Sequence, residues 1–380
     1  MPTGAAVLDL LAPLAAALDG GDPLLPVPDG AAGGQVLAAA GAAAGVDDGV
    51  ALLLPTSGST GAPKVVELPA AALKASARAT ADRLGGPGRW LLALPVAHVA
   101  GWQVLVRGVV AGHRPVVLDL TRSFTPAAFA AAVAAMDGPR RYTSLVPTQL
   151  RRLLADAEGT AALRALDAVL VGGAAAGPDL LARASEAGVP VVTTYGMTET
   201  SGGCVYDGRP LDGVRAAVDD DGRVRLAGPV LAAGYRGDPA GTAAAFTTGA
   251  GGTRWFRTAD LGELDGARLR VTGRLDDVLV TGGRKVAPAA VERVLGALPG
   301  VRDCLVVGVP DAEWGQAVVA LVVGDPGPPE RLRAAVAAEL DAAHAPRRVL
   351  VVDALPLRGI GKPDRAAAAD LAAGLLAAGG

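Results

Sequence analysis

Lysine is scarce in this 380-residue chain: four of its 35 basic residues are lysine, and the other 31 are arginine. Where any positive charge would serve, the sequence therefore uses arginine. A retained lysine indicates a position that needs a compact ammonium on a flexible stem. Lys64, Lys285 and Lys362 lie in glycine-marked segments, whereas Lys74 lies in a helical stretch and is expected to be a solvated side chain.

Aromatic residues, cysteines and long apolar runs are scarce too. Aromatics make up 3% of the chain and the net charge is −3, which argues against a nucleic-acid partner. No uninterrupted apolar stretch is long enough to span a bilayer, and the first basic residue is Lys64, so neither a membrane anchor nor a signal peptide is expected. Cys204 and Cys304 give no disulfide framework or metal cluster, and a reducing, cytoplasmic setting is expected.

Residues 55–64, PTSGSTGAPK, are the most informative segment. They lie between two apolar runs, residues 50–54 and 65–68, which predict buried strands joined by a turn. Glycines there let successive backbone N–H groups point inward, and hydroxyls and an ammonium add further donors, so the segment predicts a phosphate-binding loop. It is not a Walker A loop, because no Gly-Lys-Ser/Thr closes it. The polar and glycine residues of this loop are Thr56, Ser57, Gly58, Ser59, Thr60, Gly61 and Lys64. The alternative is a plain Gly/Ser surface turn.

Helical and strand patterns alternate after this loop and predict an α/β fold with parallel sheets covered on both faces. Helices are predicted at residues 5–18, 98–111, 126–136, 148–156, 178–187, 288–297 and 329–343, and strands at 90–94, 115–118, 142–146, 168–171, 189–193, 304–308 and 317–323. A Gly/Pro/Asp-rich connection follows the first helix through Gly34. Beyond Gly202, short strands and tight turns predict a small antiparallel part. The pattern breaks at 273–277, so we predict a large N-terminal domain, 1–275, and a small α+β C-terminal domain, 276–380.

Several further motifs follow the loop in a fixed order. They are PVAH at 95–98, VLVGGA at 169–174, YGMTET at 195–200, WFRTAD at 255–260, GRLDD at 273–277 and GK at 361–362. This order resembles the adenylate-forming superfamily of acyl-CoA synthetases, peptide-synthetase adenylation domains and luciferase-like enzymes, over about residues 55–365. The early loop and the runs at 94–103, 142–150 and 206–214 most resemble the short-form o-succinylbenzoate–CoA ligases of menaquinone biosynthesis.

The resemblance implies a two-step ligase reaction with ATP, Mg²⁺ and coenzyme A. A small-molecule carboxylic acid attacks the α-phosphorus of ATP and expels pyrophosphate, and the coenzyme A thiolate then attacks the acyl-adenylate. In the family, the loop closes over the β- and γ-phosphates, where Lys64 would neutralise charge. Lys362 matches the lysine that bridges the carboxylate and the α-phosphate. His98 matches the residue that gates the acyl pocket.

The resemblance also assigns a nucleotide site. Tyr195 would stack on adenine, Asp260 would accept both ribose hydroxyls and Glu199 would hold Mg²⁺. The other residues assigned to the nucleotide are Gly172, Gly173, Ala174, Gly196, Thr198 and Arg274. Each has a structural alternative: a core aromatic for Tyr195, a helix-capping partner of the nearby threonines for Glu199, and a surface pair for Asp260 with Arg274. Ala259 stands where the family more often has glycine.

The remaining implications concern the second half-reaction and the acid. Asp276 matches the hinge about which a mobile small domain changes pose, and Gly282, Gly283 and Lys285 would line the pantetheine tunnel. Residues 98–102, 143–149 and 200–203 would form the acyl pocket. A second substrate carboxylate has three candidate partners, which are Arg107, Arg141 and Arg215. Superfamily members are commonly dimers, so a homodimer is also an expectation.

Three alternatives to this reading stay open. The nearest is a ligase for another aryl or fatty acid, which would differ only in the pocket. The others are a phosphate-binding NTPase switch and a non-catalytic nucleotide-binding module.

Overall fold

The computed structural model describes residues 1–41, 45–57, 63–358 and 362–378. In chain order the α-helices are α1 (Leu11–Leu18), α2 (Ala31–Ala40), α3 (Ala70–Arg83), α4 (Val99–Ala111), α5 (Pro126–Ala134), α6 (Pro147–Leu154), α7 (Ala157–Arg164), α8 (Pro178–Glu186), α9 (Pro239–Ala245), α10 (Pro288–Gly296), α11 (Pro329–Glu339) and α12 (Arg365–Ala378). Short 3₁₀ turns occupy Gly4–Leu10, Thr198–Thr200, Ala250–Gly252 and Leu275–Asp277.

The strands of the large N-terminal part are β1 (Val50–Ser57), β2 (Pro63–Pro69), β3 (Arg89–Leu92), β4 (Val116–Val117), β5 (Arg141–Leu145), β6 (Ala168–Val171), β7 (Val191–Met197), β8 (Gly202–Tyr206), β9 (Arg209–Pro210), β10 (Arg215–Val218), β11 (Arg223–Ala227), β12 (Gly234–Tyr235), β13 (Phe246–Thr248), β14 (Arg254–Asp265) and β15 (Arg268–Arg274). The strands after residue 275 are β16 (Leu279–Thr281), β17 (Arg284–Val286), β18 (Val301–Asp311), β19 (Gly315–Gly324), β20 (Arg348–Val351), β21 (Leu357–Arg358) and β22 (Lys362–Pro363).

A seven-stranded sheet in the order β4-β3-β5-β6-β7-β8-β9 forms the centre of the large part. The strands from β4 to β7 in this order pair in parallel, and β8 and β9 continue the sheet antiparallel. Residues of α5 to α8 pack on one face in one hydrophobic cluster, and residues of α3 and α4 pack on the other in a second. Burial on both faces explains why β6 is apolar at every position. The predicted helix-covered parallel sheet is confirmed.

Two smaller antiparallel sheets complete the large part. Strand β2 lies between β1 and β12, and Thr56 pairs with Lys64 across β1 and β2, so the predicted phosphate loop does connect two strands. The second sheet has the order β10-β11-β14-β13, with β15 on β14, and it confirms the antiparallel part predicted beyond Gly202. In this sheet Asp260 of β14 lies opposite Arg274 of β15.

The small C-terminal part has its own core. A sheet in the order β18-β19-β20 pairs antiparallel and then parallel. Helices α10 and α11 contribute to a hydrophobic cluster with alternate residues of β18 and β19, and α12 packs against the intervening residues on the other side. This confirms a small α+β C-terminal part, while the boundary at residue 276 stays a prediction.

Several elements differ from the sequence-based expectations. The first predicted helix is a 3₁₀ segment followed by α1, and α2 begins inside the stretch predicted as a connection through Gly34. Gly33 makes that helix hard to recognise, yet a Cβ there would lie 2.1 Å from the Pro28 carbonyl oxygen, so the packing requires glycine. Helices α7 and α12 were not predicted, because alanine-rich segments carry little contrast between apolar and polar faces. Within the described ranges no helix is long and apolar enough to cross a membrane.

Candidate active site

Several predicted nucleotide-binding residues lie near the carboxyl end of β7. There the sheet changes from parallel to antiparallel pairing, and in open α/β sheets ligands bind outside the carboxyl ends of the strands. The Thr200 hydroxyl accepts a hydrogen bond from the Met197 N–H at 3.0 Å and donates one to the Gly202 carbonyl at 2.8 Å. Gly196 approaches Gly202 so closely that a Cβ would lie 2.1 Å from its oxygen. The turn after Tyr195 is therefore held rigidly.

Asp260 is the centre of the site and is only 6% exposed. The Tyr195 hydroxyl donates to its Oδ2 at 2.7 Å, and Arg274 Nη1 donates to its Oδ1 at 2.8 Å. Its own N–H donates to the Thr258 hydroxyl at 3.0 Å. The structure thus brings Tyr195, Asp260 and Arg274 together, and the roles predicted for them stay predictions. Asp260 and Arg274 form an ion pair in which the carboxylate is buried and the arginine side chain is 49% exposed.

The electrostatic environment keeps the Tyr195 phenol neutral and the Arg274 guanidinium charged. Burial raises the pKa of Tyr195, and the neighbouring Asp260 carboxylate raises it further, so the phenol stays a hydrogen-bond donor. Burial acts to lower the pKa of Arg274, but Asp260, Asp276 and Asp277 outweigh it and raise the pKa. The Arg274 guanidinium also donates to Asp276 Oδ2 at 3.2 Å, which links Asp260 to the predicted hinge.

Glu199 lies on the 3₁₀ turn directly after β7. Burial raises the pKa of its carboxyl, while the hydrogen bond from Tyr235 and the charges of Lys64 and Arg274 oppose that shift. The Tyr235 hydroxyl donates to Glu199 Oε1 at 2.9 Å. The Thr200 hydroxyl accepts the hydrogen bond from the Met197 N–H at the start of this turn, and the metal role of Glu199 stays a prediction.

Thr56 and Lys64 are the polar residues of the predicted phosphate loop whose side chains the structure describes. The Thr56 hydroxyl donates to the Lys64 carbonyl at 3.3 Å, and the Lys64 ammonium lies 4.8 Å from the centre of the Tyr235 ring. Gly58, Ser59, Thr60 and Gly61 lie outside the described residues, as does the Ser57 side chain. For Lys362 the backbone is described, paired with Arg358, and its side chain lies outside the description.

The glycines predicted to line adenine and the predicted acyl pocket lie near the same strand end. A Cβ on Gly172 would lie 2.3 Å from the Thr194 hydroxyl, so Gly172 packs directly against the residue before Tyr195. His98 occupies the position before the first residue of α4, and Gln103 one turn later donates from Nε2 to the Ser201 carbonyl at 2.7 Å. Helix α4 and residues 200–203 are therefore adjacent, as the pocket prediction requires.

Thr143 and Gln149 of the 143–149 segment make hydrogen bonds within the sheet and its flanking turn. Thr143 is fully buried, and its hydroxyl donates to the Leu91 carbonyl at 3.1 Å inside the sheet. Gln149 accepts from the Val146 N–H and donates to the Ala93 carbonyl at 2.9 Å. Thr143 is therefore a core residue.

The three candidate arginines occupy different environments. Arg141 is the first residue of β5 and lies at the amino end of the parallel strands, whereas Tyr195 lies near the carboxyl end of β7. Arg215 begins the edge strand β10, and its guanidinium donates a hydrogen bond to the Thr253 hydroxyl. Arg107 lies on α4 and is 6% exposed. Its Nη2 is 3.4 Å from the hydroxyls of Thr80 and Tyr206, and within the described ranges no carboxylate lies within 4 Å of its guanidinium nitrogens.

The predicted pantetheine residues form one hairpin turn between β16 and β17. The Gly282 N–H donates to the Trp314 carbonyl at 3.0 Å, and a Cβ on Gly282 would lie 2.5 Å from Trp314 Cε3. Gly282 and Gly283 both have positive φ, and Lys285 follows on β17 with an exposed side chain. The glycines are therefore required by this turn, whatever ligand it meets.

Sequence reasoning missed Tyr235, Thr258 and Gln103. Tyr235 contacts both Glu199 and Lys64, and Thr258 orients Asp260 through a hydroxyl that also donates to the Val224 carbonyl at 2.9 Å. Glycine, aspartate and proline near Tyr235 are typical of a loop, and no sequence pattern shows that this segment lies beside Glu199.

A family model described as "AMP-binding enzyme" matches residues 21–235, and a second, "AMP-binding enzyme C-terminal domain", matches residues 290–362. The chain belongs to the AMP-binding enzyme family. Among curated members of that family, the Mycobacterium tuberculosis (strain H37Rv) protein named "Probable 2-succinylbenzoate–CoA ligase" is 50% identical over 375 residues, 97% of this chain and 96% of that protein. The 2-succinylbenzoate–CoA ligase of Enterococcus faecalis is 32% identical over 73% of this chain and 60% of its own length.

Solved structures of AMP-binding enzymes share the fold. The o-succinylbenzoate CoA synthetase of Bacillus subtilis, solved with its acyl-adenylate intermediate, has a TM-score of 0.70 and 30% identity, covering 83% of this chain and 68% of that one. An amide bond synthetase of Marinactinospora thermotolerans has a TM-score of 0.73 and 31% identity, covering 85% of this chain and 69% of that one.

Proposed function

We propose that this AMP-binding enzyme is an ATP-dependent acid–CoA ligase that converts o-succinylbenzoate to o-succinylbenzoyl-CoA through an acyl-adenylate. The observation that carries the proposal is the buried Asp260 carboxylate between Tyr195 and Arg274, beside Glu199, at the carboxyl end of β7. The names of the relatives supply the acid and the thiol.

Asp260 is suited to hold the ribose of ATP. Each carboxylate oxygen accepts one protein hydrogen bond, and an ionised carboxylate has about four acceptor positions, so both oxygens can accept a ribose hydroxyl as well. Tyr195 is held by this carboxylate, and Gly172 packs against the preceding residue, Thr194, which supports the adenine role. Gly196 and Thr198 would contact the nucleotide from the adjoining turn.

Glu199 is suited to Mg²⁺ that arrives with the nucleotide. No group of three or more His, Cys, Asp or Glu that could hold a metal ion occurs in the described part of the chain. Mg²⁺ commonly binds through one or two carboxylates together with substrate phosphates and water. A single half-buried carboxylate facing Lys64 fits that mode, and the bound ion would neutralise phosphate charge as pyrophosphate leaves.

The reacting groups are assigned by their motifs. Lys64 would stabilise the departing β- and γ-phosphates, and Lys362 would bridge the acid carboxylate and the α-phosphate, where negative charge develops. His98 would gate the acyl pocket from the start of α4. The turn of Gly282, Gly283 and Lys285 would line the pantetheine arm of coenzyme A.

Residues 1–275 and 276–380 would act as two domains joined at Asp276. In one pose the small domain would present Lys362 for adenylation, and in a second it would present the Gly282–Gly283 turn for thioester formation.

Replacing Asp276 with proline tests this hinge. Proline fixes φ and would stiffen the pivot, so adenylate formation is expected to persist while transfer to coenzyme A falls. Both half-reactions would be measured separately in single turnovers. The control is Asp276→Ala, which removes the hydrogen bond to Arg274 and leaves φ free. Wild-type transfer in Asp276→Pro would show that the pivot lies elsewhere.

Arg107 is our choice for the partner of the second substrate carboxylate. Burial lowers the pKa of its guanidinium, which is the sign of a charge removed from water without a carboxylate beside it. A buried, unpaired charge is costly unless a ligand supplies the opposite one. Arg141 is half-buried and Arg215 is exposed, so neither carries such a buried charge.

The acid preference tests the proposed function. Under saturating ATP and coenzyme A, we expect kcat/KM for o-succinylbenzoate to exceed that for benzoate and for a medium-chain fatty acid by about a hundredfold. Acids with a single carboxylate would leave the buried Arg107 cation unpaired. Arg107→Gln should remove most of this preference and change benzoate little. Arg141→Gln and Arg215→Gln are matched controls.

The outcomes separate the alternatives. A fatty acid or benzoate that matched o-succinylbenzoate would exclude the menaquinone assignment and leave the ligase chemistry standing. Loss of preference in Arg141→Gln or Arg215→Gln alone would reassign the carboxylate partner. An acid-dependent pyrophosphate-exchange screen with no active acid would favour an NTPase or a non-catalytic nucleotide-binding module.

A further inference from the structure

Tyr235 is held in place by backbone pairing with β2 and by contacts with Thr242 and Phe246. Strand β12 pairs with β2, with Tyr235 opposite Val66, so the tyrosine lies beside the strand that carries Lys64. The Tyr235 N–H donates to the Thr242 hydroxyl at 2.9 Å, and its ring packs edge-on against Phe246 with centroids 5.9 Å apart. The ring therefore has little freedom to turn.

The neighbours of Tyr235 anchor the segment to the site. The Ala232 N–H donates to the Glu199 carbonyl at 2.8 Å, so this segment holds the backbone of Glu199 as well as its carboxylate. On the other side, Arg236 forms an ion pair with Glu67 at 3.0 Å, with side chains only 8% and 12% exposed. Residues 232–236 thus connect the strand after the phosphate loop to the turn of Glu199.

Tyr235 contacts two opposite charges with two different parts of its side chain. Its hydroxyl donates to Glu199 Oε1 at 2.9 Å, and its ring face lies 4.8 Å from the Lys64 ammonium. In the described part of the chain no ion pair within 4 Å joins Lys64 to Glu199. The ammonium is attracted to the ring quadrupole, which engages it without neutralising it.

We propose that Tyr235 is a positioning residue that keeps Lys64 and Glu199 apart and aimed at the Mg²⁺–ATP complex. This inference rests on the proposed function, in which Glu199 meets the metal and Lys64 meets the phosphates. A direct Lys64–Glu199 ion pair would occupy the carboxylate oxygen that the metal needs and the donors that the phosphates need. The tyrosine prevents that collapse by satisfying each charge separately.

The test is nucleotide binding by the full chain in the absence of the acid. Tyr235→Phe removes the hydroxyl and keeps the ring, and Tyr235→Leu removes both. Calorimetric Kd values would be measured for ATP with Mg²⁺ and for ATP with EDTA. We expect Tyr235→Phe to weaken Mg²⁺–ATP binding about tenfold and metal-free ATP binding much less, because the lost bond is to a charged carboxylate. Tyr235→Leu should weaken both, since Lys64 also loses its contact.

Tyr142→Phe is the matched control. The Tyr142 hydroxyl donates to the Leu84 and Gly86 carbonyls at 3.0 and 3.1 Å. Tyr142 lies at the amino end of β5, away from Tyr235, so removal of its hydroxyl should leave both Kd values unchanged. Melting temperatures of both variants would check folding. If Tyr235→Phe lowers the melting temperature but keeps the wild-type ratio of the two Kd values, Tyr235 is merely structural and the inference fails. If the wild-type protein binds ATP equally with and without Mg²⁺, the metal role of Glu199 fails first.

Discussion

Replacing Lys362 with alanine is expected to abolish adenylate formation while largely sparing thioester formation from preformed acyl-adenylate. The lysine would act only in the pose that forms the adenylate, where it stabilises charge that develops between the carboxylate and the α-phosphate. Loss of one such positioned donor costs about 3–4 kcal/mol, a fall of several hundredfold in rate. Pyrophosphate exchange would measure the first step, and a single turnover with prepared acyl-adenylate and coenzyme A would measure the second.

Lys74→Ala is the control for that experiment. Lys74 pairs with Asp19 at 2.9 Å on the surface of the large part, so its loss should affect neither step. Equal damage to both half-reactions in Lys362→Ala would contradict the assignment and indicate a structural role for the segment.

Asp260→Ala is expected to lower kcat/KM for ATP about a hundredfold or more. Hydrogen bonds to a charged group contribute about 1.5–3 kcal/mol each, and this carboxylate would accept two from the ribose. The change also leaves the Tyr195 hydroxyl and Arg274 without the acceptor that orients them. The specific measurement compares ATP with 2′-deoxy-ATP. Wild-type protein should prefer ATP, and the variant should not.

Tyr195→Phe separates the carboxylate from its support. It removes the 2.7 Å hydrogen bond to Asp260 but keeps the carboxylate, so the preference for the ribose hydroxyl should survive. Chemical unfolding of both variants would report any loss of stability from the buried site. A deoxy-ATP discrimination that persists in Asp260→Ala would move the ribose contact to another residue.

The sequence was informative where chemistry is local. The composition of the loop at 55–64 predicts phosphate binding, because glycines, hydroxyls and a lysine act through backbone freedom and donors that lie close together in the chain. The strand at 168–171 was equally readable, since burial on both faces leaves four apolar residues in a row. Alanine-rich helices such as α7 and α12 were not, because alanine fits both the buried and the exposed face of a helix.

The sequence by itself determined the family and the set of motif residues, from Lys64 to Lys362. Only the tertiary structure decided which of those residues meet and what supports them. Pairing of β14 with β15 sets Asp260 opposite Arg274, and pairing of β12 with β2 brings Tyr235 to Glu199. Those contacts join residues 14 and 36 positions apart in the chain, and their geometry depends on sheet register and packing, which no local pattern of residues specifies.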